Sequence, residues 1–451
     1  MLPMHEFDEE TERLARAIET YARDRIAKPQ PLDRTLPAET LDTLAGQTIS
    51  PAGIGWEEAL RIWADVLAPA TISTDHPASF AFVPGAPTRA SALFDLIVGA
   101  SSTIAAGWID GAGAIWAENR ALRWVADLAG FPDSAGGVFV SGGSAGNLSA
   151  LVTARHTAAE RRGGRPDRWR FAACDTVHSS VAAAARVMDV DVLDVSHDER
   201  GRLTGDALRR TLDVDGGEGV FAVVASAGAT NAGTVDDLAG VAEVCGERGL
   251  WFHVDGAYGG GALLAPSARP LFDGVEHADS FIVDPHKWLF APYDACALIY
   301  RDPTLALAAH RQVASYLDTA LSAPDWNPAD YAYHLSRRAR GLPLWFSLAS
   351  HGTDAYRDAV EKVLTITRTT AAAIVERPNL ELIMEPDLSV LLFRRLGWGP
   401  DDYDACWRRL QDEQLAFVQP TSWEGEKVMR LCFINPRTTM DHVRPVLEFM
   451  D

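Results

Sequence analysis

The feature that most constrains this chain is an alternation, from about residue 75 to residue 300, of short β-rich apolar runs with Ala-rich stretches of helical composition. Runs at 137–140, 171–173, 219–226, 250–254, 280–283 and 295–300 read as strands, and 148–161, 180–187 and 237–248 read as helices between them. Strands linked through helices pair in parallel, so the pattern predicts an α/β fold with a largely parallel sheet covered on both faces. Such sheets bind ligands beyond the carboxyl ends of their strands. The residues that follow each run are therefore where chemistry is to be sought.

The flanks read differently. Phe7, Leu14, Ile18 and Tyr21 recur at helical spacing, so 6–27 reads as one amphipathic helix, ended by Pro29 and Pro31. A second helix over 56–67 stops before Pro69. Residues 310–340 are polar and irregular with Pro324 and Pro328, and a stretch of that length is usually a lid or disordered, so a mobile loop is expected at about 311–335. Helix resumes at 345, and probable strands at 390–393 and 428–433 suggest a small α+β unit. The expected organisation is an N-terminal helical segment (1–74), a large α/β domain (75–340) and a small C-terminal domain (341–451). A net charge of -21 with a pI near 5.0 disfavours nucleic acid and anionic membrane surfaces as partners. Five scattered cysteines without a C-x-x-C pair show no zinc spacing, and no metal is expected. The acidic, amphipathic first residues are unlike a secretory signal, and no run is long enough to span a bilayer, so the expected location is the cytoplasm.

Five strand ends carry candidate chemistry. In DSFIVDPHKWLF, Asp284, Pro285, His286 and Lys287 follow an apolar run. Burial lowers a lysine's pKa and yields a nucleophilic amine, although alone Lys287 reads as a lysine snorkelling from a strand end. In WFHVDGAYGGG, Asp255 ends a run where a carboxylate needs a cation or donors, and a pyridinium nitrogen is one such cation. In VFVSGGSAGNLSAL, Gly142, Gly143 and Ser144 lead into a helix whose first amides make a phosphate cradle, though the string is neither G-x-G-x-x-G nor a Walker loop. His178 in CDTVHSS is placed to stack on a flat ring, and Thr230 in ASAGATNAG can donate to a ring oxygen or a phosphate. Each is weak alone. Their joint occurrence points to a lysine that carries pyridoxal phosphate (PLP).

These residues resemble the PLP-dependent amino acid decarboxylases that include aromatic L-amino acid decarboxylase, a branch of the aspartate aminotransferase fold (fold type I). The similarity runs from about His76 to Arg437, carried by D-P-H-K-W after A-D-S-F, H-V-D-G-A-Y-G-G, S-G-G-S-A-G-N-L and H-S-S. The resemblance implies a mostly parallel seven-stranded sheet and a homodimer with shared active sites, residues 6–27 being the candidate arm over the partner. It implies that Lys287 carries PLP, that Asp255 pairs with the pyridine nitrogen and that His178 stacks over the ring. Gly143, Ser144 and His286 would hold the phosphate, with Thr230 and Ala257 lining the site. Asp284 stands where the family often has Asn, which puts a carboxylate near an anionic cofactor.

The resemblance also implies the reaction. Tyr316, 29 residues beyond Lys287, matches the loop tyrosine that protonates the carbanion after carbon dioxide leaves. Relatives that make aldehydes replace that tyrosine or the histidine, so keeping both favours plain decarboxylation. HPASFAFVPGAP matches the family's substrate wall and places Val83 and Pro84 at the pocket, as Trp108 in AAGWIDGAG matches a family tryptophan. Small residues at Ala106 and Gly111–Gly113 leave room for an aromatic side chain, or for refilling by another substrate. An aliphatic or acidic substrate, an aldehyde synthase, another PLP enzyme and a non-catalytic protein remain as alternatives.

Overall fold

Seven strands form the central sheet of the computed structural model, which describes residues 4–312 and 326–451. They are β1 (Gly136–Val140), β2 (Arg170–Cys174), β3 (Asp191–Val195), β4 (Val220–Ser226), β5 (Trp251–Asp255), β6 (Ser280–Val283) and β7 (Cys296–Tyr300). The order across the sheet is β1-β7-β6-β5-β4-β2-β3. Only β7 runs against the rest, pairing antiparallel with both β1 and β6. All the other carboxyl ends therefore lie along one edge. Alternate residues of β1 enter opposite cores, Val138 and Val140 one and Phe139 the other, as a sheet buried on both faces requires.

The edge strand β3 escaped the sequence pattern. Its Asp-Val-Leu-Asp-Val sets two carboxylates among three apolar residues, which suits a half-solvated edge rather than a buried run. Two helices begin earlier or break where glycine weakens the local signal. The first crossover helix is Gly143–Arg162, five residues longer at its start than the Leu148 expected, because its first turn is Gly-Ser-Ala-Gly. The helix Trp108–Leu128 bends at Gly111, where an added Cβ would meet the Ile104 carbonyl at 2.9 Å.

Beyond the large sheet, β8 (Leu380–Leu382), β9 (Val390–Arg395), β10 (Thr421–Trp423) and β11 (Glu426–Cys432) form an antiparallel sheet in the order β10-β11-β9-β8. Segment 78–80 is laced to this part: Phe80 N–H donates to the Phe417 carbonyl (2.8 Å), and Cys432 N–H to the Phe80 carbonyl (2.9 Å). At the N-terminus the helix Glu9–Ala27 is capped by Asp8, whose carboxylate accepts from the amides of Glu10 and Thr11. It buries no residue, and Phe7 and Ile18 stay exposed. Residues 326–335, expected within the mobile loop, pack closely: Trp326 stacks on Tyr331 with 4.0 Å between rings, and Asn327, Ala329 and Asp330 are buried. No described helix is long and apolar enough to cross a membrane.

Candidate active site

The carboxyl ends of β1, β2, β4, β5 and β6 surround a cavity of about 230 Å3. Its lining includes Gly143, Ser144, His178, Thr230, Asp255, Ala257, Asp284, His286 and Lys287. These are residues singled out from five separate stretches of sequence, and the parallel sheet brings them together.

Lys287 sits in the turn after β6, its amide donating to the Asp284 carbonyl at 2.9 Å. Its ammonium lies 3.0 Å from Asp284 Oδ2, on a carboxylate that is 2% exposed and whose Oδ1 has no hydrogen-bond partner. The sequence argument expected burial to leave this amine neutral. Burial does pull its pKa down, but Asp284 beside it and Asp255 across the cavity outweigh that, and the net shift is upward. Asp284 thus favours the ammonium form of Lys287, a contact that the sequence did not reveal. His286 Nδ1 lies 2.7 Å from the Ala295 carbonyl oxygen and 3.2 Å from the Ala295 amide nitrogen, Nε2 lies 3.7 Å from Asp284 Oδ2, and burial lowers its pKa despite that carboxylate.

Asp255 closes β5 and receives two hydrogen bonds, from Ala257 N–H to Oδ1 (3.0 Å) and from Asn147 Nδ2 to Oδ2 (2.8 Å). His178 caps its own helix, Ser179–Met188: Nδ1 accepts from the Ser180 amide at 3.2 Å and lies 2.8 Å from Ser180 Oγ. That assigns the proton to Nε2. At the other end of the cavity the helix Gly143–Arg162 begins without a side-chain cap, so its first amides have no intrahelical partner. A Cβ on Gly143 would stand 3.2 Å from Ala257 Cβ and 3.3 Å from Asp284 Oδ2, so only glycine lets the backbone approach here freely. Thr230 is held by its carbonyl, which accepts from Arg430 Nη2 at 2.7 Å.

A wider groove of about 610 Å3 opens from His178 and Thr230 and is walled by Phe82, Val177, Pro420 and Trp423. Phe82 was not singled out in the sequence, whereas its neighbours Val83 and Pro84 were, and those two line neither this groove nor the cavity. The reason is local. Phe82 adopts a left-handed φ of 54°, with its carbonyl held by Arg430 Nη1 (2.7 Å), so it stays 63% exposed while Val83 packs on the core. Trp108 also lies away from the cavity of its own chain, against Ala105, Ile115 and Ala339. Tyr316 lies outside the described residues. Tyr293, another residue not anticipated, rests on the His286 ring with 4.6 Å between centroids.

The model of the pyridoxal-dependent decarboxylase conserved domain matches residues 46–396. This chain belongs to the pyridoxal-dependent decarboxylase family. It is 30% identical over 434 residues to an aromatic-L-amino-acid decarboxylase of Bacillus atrophaeus, covering 93% of this chain and 90% of that one. It is 32% identical to an L-2,4-diaminobutyrate decarboxylase of Rhizobium meliloti (strain 1021), covering 83% and 77%. In fold it is similar to Oryza sativa TDC, solved with PLP and tryptamine, with a TM-score of 0.90 at 24% identity over 100% of this chain and 98% of that one. The chain is a PLP-dependent amino acid decarboxylase. Its cavity fits that cofactor chemically: an amine on one wall, a hydrogen-bonded carboxylate on another, and uncapped helix amides beside a glycine opening.

Proposed function

We propose that the enzyme decarboxylates an aromatic L-amino acid to its amine and carbon dioxide. The observation that carries this is the groove beyond His178, where Phe82, Val177, Pro420 and Trp423 make an apolar wall sized for a ring. The 30% identity to the Bacillus atrophaeus enzyme supports the same reading. The diaminobutyrate decarboxylase of Rhizobium meliloti favours a basic aliphatic side chain instead, and Asp175 and Glu424 do border the groove. The Asp175 side chain is 70% exposed, however, and a solvated carboxylate holds an ammonium weakly.

When bound, PLP supplies a ring that accepts the electrons of the broken Cα–carboxylate bond. The residues of the chain are proposed to act as follows. Lys287 would hold the cofactor through its side-chain amine. Asp255, already accepting two bonds, holds the pyridine nitrogen protonated. His178, fixed by Ser180, covers the ring face and bounds the place of the substrate carboxylate. The amides of Gly143 and Ser144, with His286, hold the phosphate, and Ala257 and Thr230 complete the walls, while Asp284 keeps Lys287 in the turn. Val83, Pro84 and Trp108 belong to the substrate wall completed by a second copy of the chain in a homodimer, and Tyr316 delivers the proton to Cα. Fixing the substrate in one orientation would be the protein's main contribution, because aligned geometry removes much of the entropic barrier.

The test is incubation of the PLP-loaded enzyme with tryptophan, tyrosine, phenylalanine, DOPA, diaminobutyrate and glutamate, scoring amine, carbon dioxide and peroxide together. Highest kcat/KM for an aromatic substrate, with amine matching carbon dioxide, is expected. Preference for diaminobutyrate or glutamate would overturn the substrate, and stoichiometric peroxide the reaction type.

A further inference from the structure

A chain of buried hydrogen bonds runs from the sheet core into the cavity, and its directions can be read off. Trp251 Nε1–H donates to Ser280 Oγ (2.8 Å). Ser280 Oγ lies 2.8 Å from His253 Nδ1, and His253 Nε2 lies 2.8 Å from Asn147 Oδ1. Burial pushes His253 down to about 4, so its ring is neutral at ordinary pH, with one proton to give. The Asn147 carbonyl oxygen can only accept, so that proton sits on Nε2, and Nδ1 accepts from Ser280. Asn147 then has its amide nitrogen turned the other way, donating to Asp255 Oδ2 (2.8 Å) and to Ser180 Oγ (2.9 Å). Ser180 Oγ in turn holds His178 Nδ1. Asn147, His253 and Ser280 are each 1% exposed or less.

We infer that Asn147 is a positioning residue of the decarboxylase: its side-chain amide joins Asp255 to His178 through Ser180, and the Asp255 carboxylate, which can only accept, sets which way round that amide sits. The inference rests on Asp255 being the partner of the pyridine nitrogen. A reversed amide would face its oxygen to Asp255 Oδ2, setting two acceptors against each other at hydrogen-bond distance inside the protein. The carboxylate and the imidazole that bracket the cofactor therefore take their orientation from one residue on the first crossover helix. The titratable groups around that residue are Asp255 and His253 on β5, His178 after β2, Asp284, His286 and Lys287 after β6, and Cys296 on β7.

The decisive variant is Asn147→Asp, nearly isosteric. When protonated, the new carboxyl donates to Asp255 as the amide does and still accepts from His253. When ionised, it opposes Asp255 at hydrogen-bond distance. PLP dissociation constants, measured by equilibrium dialysis and by the visible band between about pH 5.5 and 9, should show the variant near wild type at the acid end. At the alkaline end it should be about tenfold to a hundredfold weaker. A variant-to-wild-type ratio that stays constant with pH overturns the inference, since a residue needed only for folding would not titrate. Ser180→Ala cuts the link to His178 alone and should lower kcat while leaving PLP affinity close to wild type; an unchanged kcat overturns that half. Asp255→Ala serves as the control. If it leaves PLP affinity and the visible band unaltered, the reading of Asp255 itself fails, whereas a damaged Asp255→Ala beside an indifferent Asn147→Asp sinks only the present inference.

Discussion

At the residue scale, Lys287 shows how neighbours overrule burial. Surrounded by protein, the amine would lose its proton, yet Asp284 at 3.0 Å and Asp255 beyond it raise its proton affinity instead. Lys287→Ala should abolish turnover and leave no borohydride-stable adduct, whereas peptide mapping of the reduced wild type should find PLP at position 287; an adduct at another lysine would refute the assignment. Asp284→Asn removes the first of the two carboxylates, and burial then prevails. Since the neutral amine captures the aldehyde, the pH profile of PLP uptake by the apoenzyme, followed by stopped-flow absorbance, should move to lower pH in this variant. An unmoved profile contradicts the role given to Asp284. The sign for stability follows from the same shift. The folded-state value lies above the ordinary 10.5, so the ion pair's contribution to the apoenzyme is complete below 10.5 and is lost only as pH rises through the raised value.

At the element scale, the helix Trp108–Leu128 and the segment that leads into the helix Leu342–His351 are joined by a buried ion pair. Glu118 accepts from Arg337 Nη1 (2.8 Å) and Nη2 (2.9 Å) and from the Gly341 amide (2.8 Å), with both side chains almost wholly buried. Arg337 Nη1 also donates to the Ala105 carbonyl at 2.6 Å, so the pair holds the turn before Trp108 in place. Glu118→Gln leaves the guanidinium without a counter-charge and should cost about 3–5 kcal/mol in denaturant unfolding at matched protein concentration. A loss under about 1 kcal/mol would mean that Arg337 finds another partner. None of this was visible in the sequence, because Glu118 and Arg337 are 219 positions apart and each reads as an ordinary surface charge. The strand ends were visible for the opposite reason: apolar runs and the small or polar residues after them are adjacent in the chain.

At the scale of the whole molecule, the surface leaves apolar side chains unpaired in one chain. Phe7, Ile18, Leu93, Leu96, Ile97, Ile109 and Trp116 are all more than 40% exposed, and the helix Glu9–Ala27 buries nothing. We propose that a second copy covers them. Sedimentation should give the mass of two chains, and removing residues 1–27 should weaken the dimer and lower activity. A truncated protein that remains a fully active dimer would dismiss the arm.

Local order along the chain determined much of this protein: the alternation that makes a parallel sheet, and the amine, carboxylate, imidazole, hydroxyl and glycine cradle that follow its strands. Both are short-range properties, set by period and by neighbours in sequence. Strand order, the reversal of β7 and the meeting of Asn147 with His253 and Asp255 were decided only by the tertiary structure. Asn147 stood within a quoted glycine-serine motif and His253 within an apolar strand, and neither shows its purpose until helix and sheet are packed. Hydrogen-bond direction in a buried network is a property of the assembled set of groups, and even β5, with Trp251, His253 and Asp255, contains only three of them.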